Sequence, residues 1–311
     1  MAYTIGIDKH KKTKRKNMKN YQYVGLLFIT PWILGFLIFQ LFPLLSSLYY
    51  SLTDYNMMKR PSFIGVHNYI QAFTRDAKFQ NSLAVTFYYA AISVPLKLMV
   101  ALGIALLLNM KARFIAFFRT LYYLPSILGA SVAVAVLWRF LFTKQGYINS
   151  LLALVGINGP DWIGDTHYAL FTISLLTVWQ FGSSMVLFLA GLKNIPPELY
   201  EAARMDGANR IRTFFKITFP MLSPIIFFNL VMQLINGFQD FTPAMLITKG
   251  GPANATYLYG MLLYENAFSY FKMGYASALS WILFVIMIAI TAILFKSSGT
   301  WTHYEDGGRG A

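Results

Sequence analysis

Six long apolar stretches, at about 24–51, 83–109, 120–142, 169–192, 221–247 and 276–296, alternate with short polar segments along this 311-residue chain. A helix that crosses the ~30 Å hydrocarbon layer needs roughly 20 mostly apolar residues, and each stretch is long enough. Backbone inside a bilayer has no water to bond, so such runs are helices unless the chain closes into a barrel. The two-residue alternation of barrel strands is absent. The pattern predicts an all-α fold, a polytopic membrane bundle of six spans. Composition agrees, with 57% hydrophobic and 12% charged residues, against about 25% charged in an ordinary soluble domain.

Several classes of chemistry are excluded. The chain has no cysteine, so disulfides, thiolate metal sites and cysteine nucleophiles are absent. His10, His67, His167 and His303 are scattered over loops and tails with no partner at metal-ligand spacing, so no metal site is expected. There is no G-x-x-x-x-G-K-[ST] loop and no polar segment long enough for a nucleotide-binding domain; the chain itself does not hydrolyse ATP.

The net charge of +14 raises the question of nucleic acid, and its distribution answers it. Lys and Arg number 7 in residues 1–23, 3 in 111–119, 5 in 193–216 and 2 in the C-terminal tail, against 4, 2 and 2 in the three alternate loops. By the positive-inside rule both termini and the 193–216 loop are cytoplasmic, and the charge reflects topology rather than a nucleic-acid partner. Residues 1–22 read as a basic tail that touches anionic lipid headgroups, 23–296 as the membrane domain and 297–311 as a second cytoplasmic tail. The apolar block that follows the basic run is too long for a signal peptide and reads as an uncleaved first span. Tyr55, Phe63, Tyr69, Phe73 and Phe79 make the first outer loop amphipathic and suited to the membrane interface. Trp162 and Tyr168 read as interfacial anchors in the second outer loop.

Polar residues inside the spans are the candidates for a path. Lys97 lies near the middle of the second span, where a Lys costs about 2.5–3.5 kcal/mol, so it faces protein or a water-filled cavity. It serves either a structural pairing or a contact to cargo. Gln233, Asn236 and Asp240 are spaced i, i+3, i+7 on one helical face, with Gln239 beside them. In the fourth span Trp179 and Gln180 add stacking and hydrogen bonding, and Gly182, Ser183 and Ser184 allow close packing. The polar stripe either lines a pathway or bonds neighbouring helices.

The polar stretch from Pro196 to Pro220 stands between two apolar blocks. Pro196 and Pro197 suit a helix start, Glu198 and Glu201 favour its first turns, and Gly207 is the natural stop. A second short helix, ANRIRTFFKI, is expected to end before Pro220. The small Ala202 and Ala203 let another surface approach, which gives a compact element built to dock.

The spacing Glu201-Ala202-Ala203, three residues, Gly207, nine residues, Ile217, one residue, Phe219-Pro220 resembles the EAA signature of ABC-importer permeases. Phe219 stands where that signature has Leu, and keeps an apolar contact. FIGVHNYIQAF, AGLKNIPPELYEAA, MLITKGGPANATYLYG and MGYASALSWILF are similar to segments of the carbohydrate-uptake, maltose-type branch, so the likeness covers about residues 22 to 296. It implies a type I importer permease in a prokaryotic plasma membrane. Two permease subunits, the second favoured as a paralogue, would form the path above two ABC ATPases, with an extracytoplasmic solute-binding protein delivering the sugar. ATP and Mg belong to the ATPases, and the chain binds no cofactor. The resemblance assigns Glu201, Ala202, Ala203 and Gly207 to the coupling helix, flanked by Arg204, Asp206 and Arg210 and closed by Pro220.

For a sugar, Trp179, Gln180, Gln233, Asn236, Gln239 and Asp240 supply a stacking platform and hydrogen bonders. Lys97 keeps a uronic-acid-containing oligosaccharide or a phosphorylated polyol open. The competing readings are an ion-coupled secondary transporter or channel, which would show inverted repeats and buried coupling acids, and a membrane enzyme, which would need a nucleophile-base or metal pair.

Overall fold

A computed structural model describes residues 27–110, 113–129 and 131–302. The N-terminal tail, Lys111 and the C-terminal end from residue 303 on, with the roles expected for them, lie outside the described residues. Helices account for the architecture, and among the described residues β-structure is limited to two isolated bridges. Four spans are unbroken by length and composition, and two further ones are bent pairs, making six if each pair crosses once.

The first span, α1 (Leu27–Ser51), packs along the last, α13 (Met273–Trp301). Its side chains, Phe28 and Phe39 among them, stay largely exposed, as suits a helix whose solvent is hydrocarbon. A short helix α2 (His67–Thr74) leads to α3 (Ala77–Leu108), the longest element. α3 is the axis of the bundle. It packs on both halves of the bent pair α7 (Ala169–Trp179) and α8 (Gly182–Asn194), and on α11 (Phe219–Gln239). The other bent pair is α4 (Ile115–Leu128) followed by α5 (Val132–Phe142) and α6 (Tyr147–Leu154).

Two apolar clusters lie toward the two ends of α3. One gathers Phe79 and Tyr89 with Tyr257, Leu258, Tyr259 and Leu279. The other gathers Ala101, Ala105 and Leu108 with Phe188, Leu192, Ile195 and Leu222. At the first end Asp76 caps α3, accepting from the N–H groups of Lys78 and Phe79, and its other oxygen accepts from Tyr275 Oη at 2.7 Å. Asn68 Nδ2 donates to the carbonyls of Ser51 and Thr53, closing the end of α1.

The structure corrects the expected elements first along the spans. The third and fourth spans are not continuous: their helical halves meet at 97° between Leu128 and Val132 and at 48° between Trp179 and Gly182. Ser131 restarts the third with an N-cap to Val134. The fifth span also breaks, at Asp240–Phe241, before a π-helical turn at Ala244–Thr248. The helix that opens at α10 (Arg210–Thr213) does not end before Pro220 but runs on through it into α11. A π-turn at Phe214–Thr218, closed by Phe219 N–H on the Phe214 carbonyl, precedes that proline and widens the helix where its ring would clash. The same device, Leu37–Leu41, precedes Pro43.

Two outer loops and the end of the last span also differ from expectation. Phe79 in the first outer loop is 1% exposed and packs edge-on to Tyr259, while Phe63 and Phe73 stay exposed. In the third outer loop Lys249 and Gly250 turn the chain in the left-handed region, but Thr256, Tyr257, Leu258 and Tyr259 plunge into the core, where the short helix α12 (Tyr259–Tyr264) begins. Tyr259 N–H donates to Thr86 Oγ1 at 2.8 Å. The expected C-terminal tail is helical through Trp301, because SSGTW after Lys296 contains no breaker strong enough to end α13.

Candidate functional site

The breaks in the spans converge. Around them a cavity of about 370 Å³ opens, walled by α3, α5, α7 and α11 and by the two bent corners. Lys97, Gln180, Gln233, Asn236, Gln239 and Asp240 all line it. Gln180 sits at one corner and donates to the Gly129 carbonyl at the other, 3.1 Å away, so one side chain ties the two bends together. Gln233 donates to Ser184 Oγ at 3.1 Å, linking α11 to α8. Asn236 and Gln239 are exposed toward the opening. This polar wall inside an apolar bundle combines both alternatives for the stripe, interhelical bonding and a solvated face.

Asp240 lies just past the end of α11, where the backbone turns extended. Its carboxylate accepts from the Thr242 N–H at 3.3 Å and from Tyr89 Oη at 3.5 Å. Tyr89 has one proton and is also 2.6 Å from Thr177 Oγ1. When Tyr89 donates to Asp240, Thr177 must therefore donate to Tyr89. The chain Thr177, Tyr89, Asp240 joins α7, α3 and the break in the fifth span.

Trp179 is the exception among the expected path residues. It is absent from the cavity lining and packs with Trp138, ring centroids 6.1 Å apart, against the first apolar cluster. The bend after it explains the change: Gln180 leaves helical geometry, so the two neighbours face opposite ways.

At the other end of the bundle a helical arm, α9 (Pro197–Met205), projects. It ends in a Schellman motif: Gly207 N–H donates to the Arg204 carbonyl and Ala208 N–H to the Ala203 carbonyl. Gly207 has φ +70°, a conformation that disfavours any side chain, although the space around it is open. Asn209 then caps α10, its Oδ1 accepting from Arg212 N–H at 2.8 Å. Tyr200 Oη and Thr218 Oγ1, 3.2 Å apart, hold the arm to the root of the fifth span. Glu201, Ala202, Arg204, Asp206, Gly207 and Arg210 are exposed. Ala203 does not share that exposed face: it is 8% exposed and turns toward the body, because i and i+1 on a helix point about 100° apart. Pro220 is half-buried at the root. The most exposed large apolar residue of the arm is Met205, at 89%.

A family model for the "Binding-protein-dependent transport system inner membrane component" matches residues 72–300. The chain belongs to this family. The permease is 52% identical over 303 residues to the "Probable ABC transporter permease protein YesP" of Bacillus subtilis (strain 168), with 96% of this chain and 97% of that one covered. It is 31% identical to the "Arabinooligosaccharides transport system permease protein AraP" of the same organism, with 88% of each covered. A chain from the crystal structure of a bacterial ABC transporter that imports the acidic polysaccharide alginate matches with a TM-score of 0.75. That match covers 93% of the permease and 100% of the other chain at 22% identity, a likeness in fold.

Several residues of the permease's cavity and arm escaped the sequence reading. Ser93, Ser131, Thr177 and Thr242 line the cavity, and Tyr89 stands behind it. Hydroxyls in membrane helices satisfy themselves on their own backbone, so their presence alone carries no signal. Asn209 did carry one: an Asn just after a glycine stop and before a helical run is an N-cap pattern.

Proposed function

We propose that this permease passes a saccharide through the cavity at the bends and is driven by ATPases docked on α9. The carrying observation is the cavity itself, where four side-chain amides and a carboxylate meet in the middle of apolar helices. Amides donate to and accept from sugar hydroxyls, a carboxylate accepts from them, and polar groups are retained in spans chiefly where they serve a pathway or a partner helix. The arabinooligosaccharide named for one relative supports the same cargo class.

In this reading α9 faces the cytoplasm with both termini, and the outer loops face the binding protein. Glu201, Ala202, Met205 and Gly207 meet a cleft of the ATPase, and movement of the arm passes through the Tyr200–Thr218 contact into α11, whose far end carries Asp240. A second permease subunit, favoured as a paralogue, completes the path beside the exposed Asn236 and Gln239.

The test is co-purification of the permease with its ATPase, followed by ATP turnover in proteoliposomes with the binding protein and a panel of sugars. Turnover stimulated by at least one saccharide is expected. An importer that assembles and responds to none of them would refute the cargo class, and a permease that moves solute without an ATPase would refute the coupling.

A further inference from the structure

Lys97 is the cation of the cavity, and no carboxylate of the described residues pairs with it. Its side chain is 9% exposed and opens on the cavity. Among the described residues it forms no ion pair within 4 Å, the only such pair being His167 with Asp165 at the surface. Asp240 acts on it through space but is already engaged by Tyr89 and the Thr242 N–H. Buried ammonium groups are otherwise paired, because three donors removed from water without acceptors are costly. Here the acceptor has to arrive with something that enters the cavity.

We propose that Lys97 binds a carboxylate of the cargo, so that the transported solute is an acidic saccharide carrying uronic-acid residues. The inference rests on the saccharide reading above and narrows it. Charge selects the kind of anion. Lys97 and Asp240 share one small cavity, so a cargo group meets one positive and one negative wall. A carboxylate, with a single charge, is balanced by the ammonium alone, and the sugar hydroxyls turn to Asp240. A phosphate ester, with about −1.5 to −2 charges, brings excess repulsion from Asp240. The phosphorylated polyol is therefore disfavoured.

The test is uptake by cells that make the complete importer, with three radiolabelled probes: tri-galacturonate, its fully methyl-esterified neutral form, and maltotriose. Esterification removes the charges and leaves the sugar rings unchanged. Wild-type cells are expected to take up the acid at least about tenfold faster than the ester, the scale of one charge-assisted hydrogen bond. Lys97→Gln is expected to lower the ratio of acid to ester uptake by about that factor, and Lys97→Arg to keep part of the preference, which separates charge from misfolding. Equal wild-type uptake of acid and ester, or an unchanged ratio in Lys97→Gln, overturns the proposal. Uptake of maltotriose alone, or of none of the three, overturns it, and the saccharide reading then stands or falls on the sugar panel above.

Discussion

Tyr89 shows how a single fully buried hydroxyl can organise a site. It bridges Thr177 and Asp240 across three segments, and its ring is held in the first apolar cluster. Tyr89→Phe keeps the packing and leaves Asp240 and Thr177 each short of a partner. The expected cost is about 1–3 kcal/mol, seen as a lower unfolding temperature in detergent, together with reduced uptake; wild-type values for both would show that Asp240 is held by other groups. The amides and charges of the cavity were legible in the sequence because a polar side chain in lipid needs a reason. Trp179 was misplaced because an aromatic ring is equally at home against core, lipid or sugar, and only the bend at Gln180 decides between them.

At the scale of elements, the arm is specified almost wholly by local chemistry. Prolines at its start, Gly207 at its stop and Asn209 as the next cap define it without reference to the rest of the bundle. Asn209→Ala is expected to cost α10 about 1 kcal/mol and to lower ATP-driven uptake by loosening the arm against α11. Glu201→Lys, on the exposed face, is expected to abolish ATP-driven uptake while membrane insertion, measured by the amount of protein in the membrane fraction, stays normal. Full uptake by Glu201→Lys would remove that residue from docking. The bent spans were less legible. Pro125 and Gly129 mark a weak point, but the closeness of α8 to α4 depends on Gly182, where an added Cβ would lie 2.9 Å from Tyr123 Cα. Hydropathy counts apolar length and is blind to such an angle.

For the whole molecule, the absence of cysteine makes single-cysteine labelling clean. Met205→Cys is expected to react with a maleimide in the isolated permease and to be protected when the ATPase is bound. It should also be reached only from the cytoplasmic side, and labelling of intact cells by an impermeant reagent would reverse the orientation. Crosslinking two differently tagged copies through Gln239→Cys tests the second subunit: no crosslink between copies is expected if a paralogue completes the path.

The sequence by itself determined the helical class, the number of apolar stretches and the position of the arm, since each follows from short-range rules: hydrocarbon thickness, caps, and glycine or proline at fixed offsets. Only the tertiary structure decided where the spans break, that residues 256–259 are core, that Ala203 faces inward, and that Lys97 and Asp240 share one cavity. Those depend on which surfaces meet across long sequence separations, 51 residues for Gln180 with Gly129 and 173 for Tyr259 with Thr86, and no local pattern encodes such a meeting.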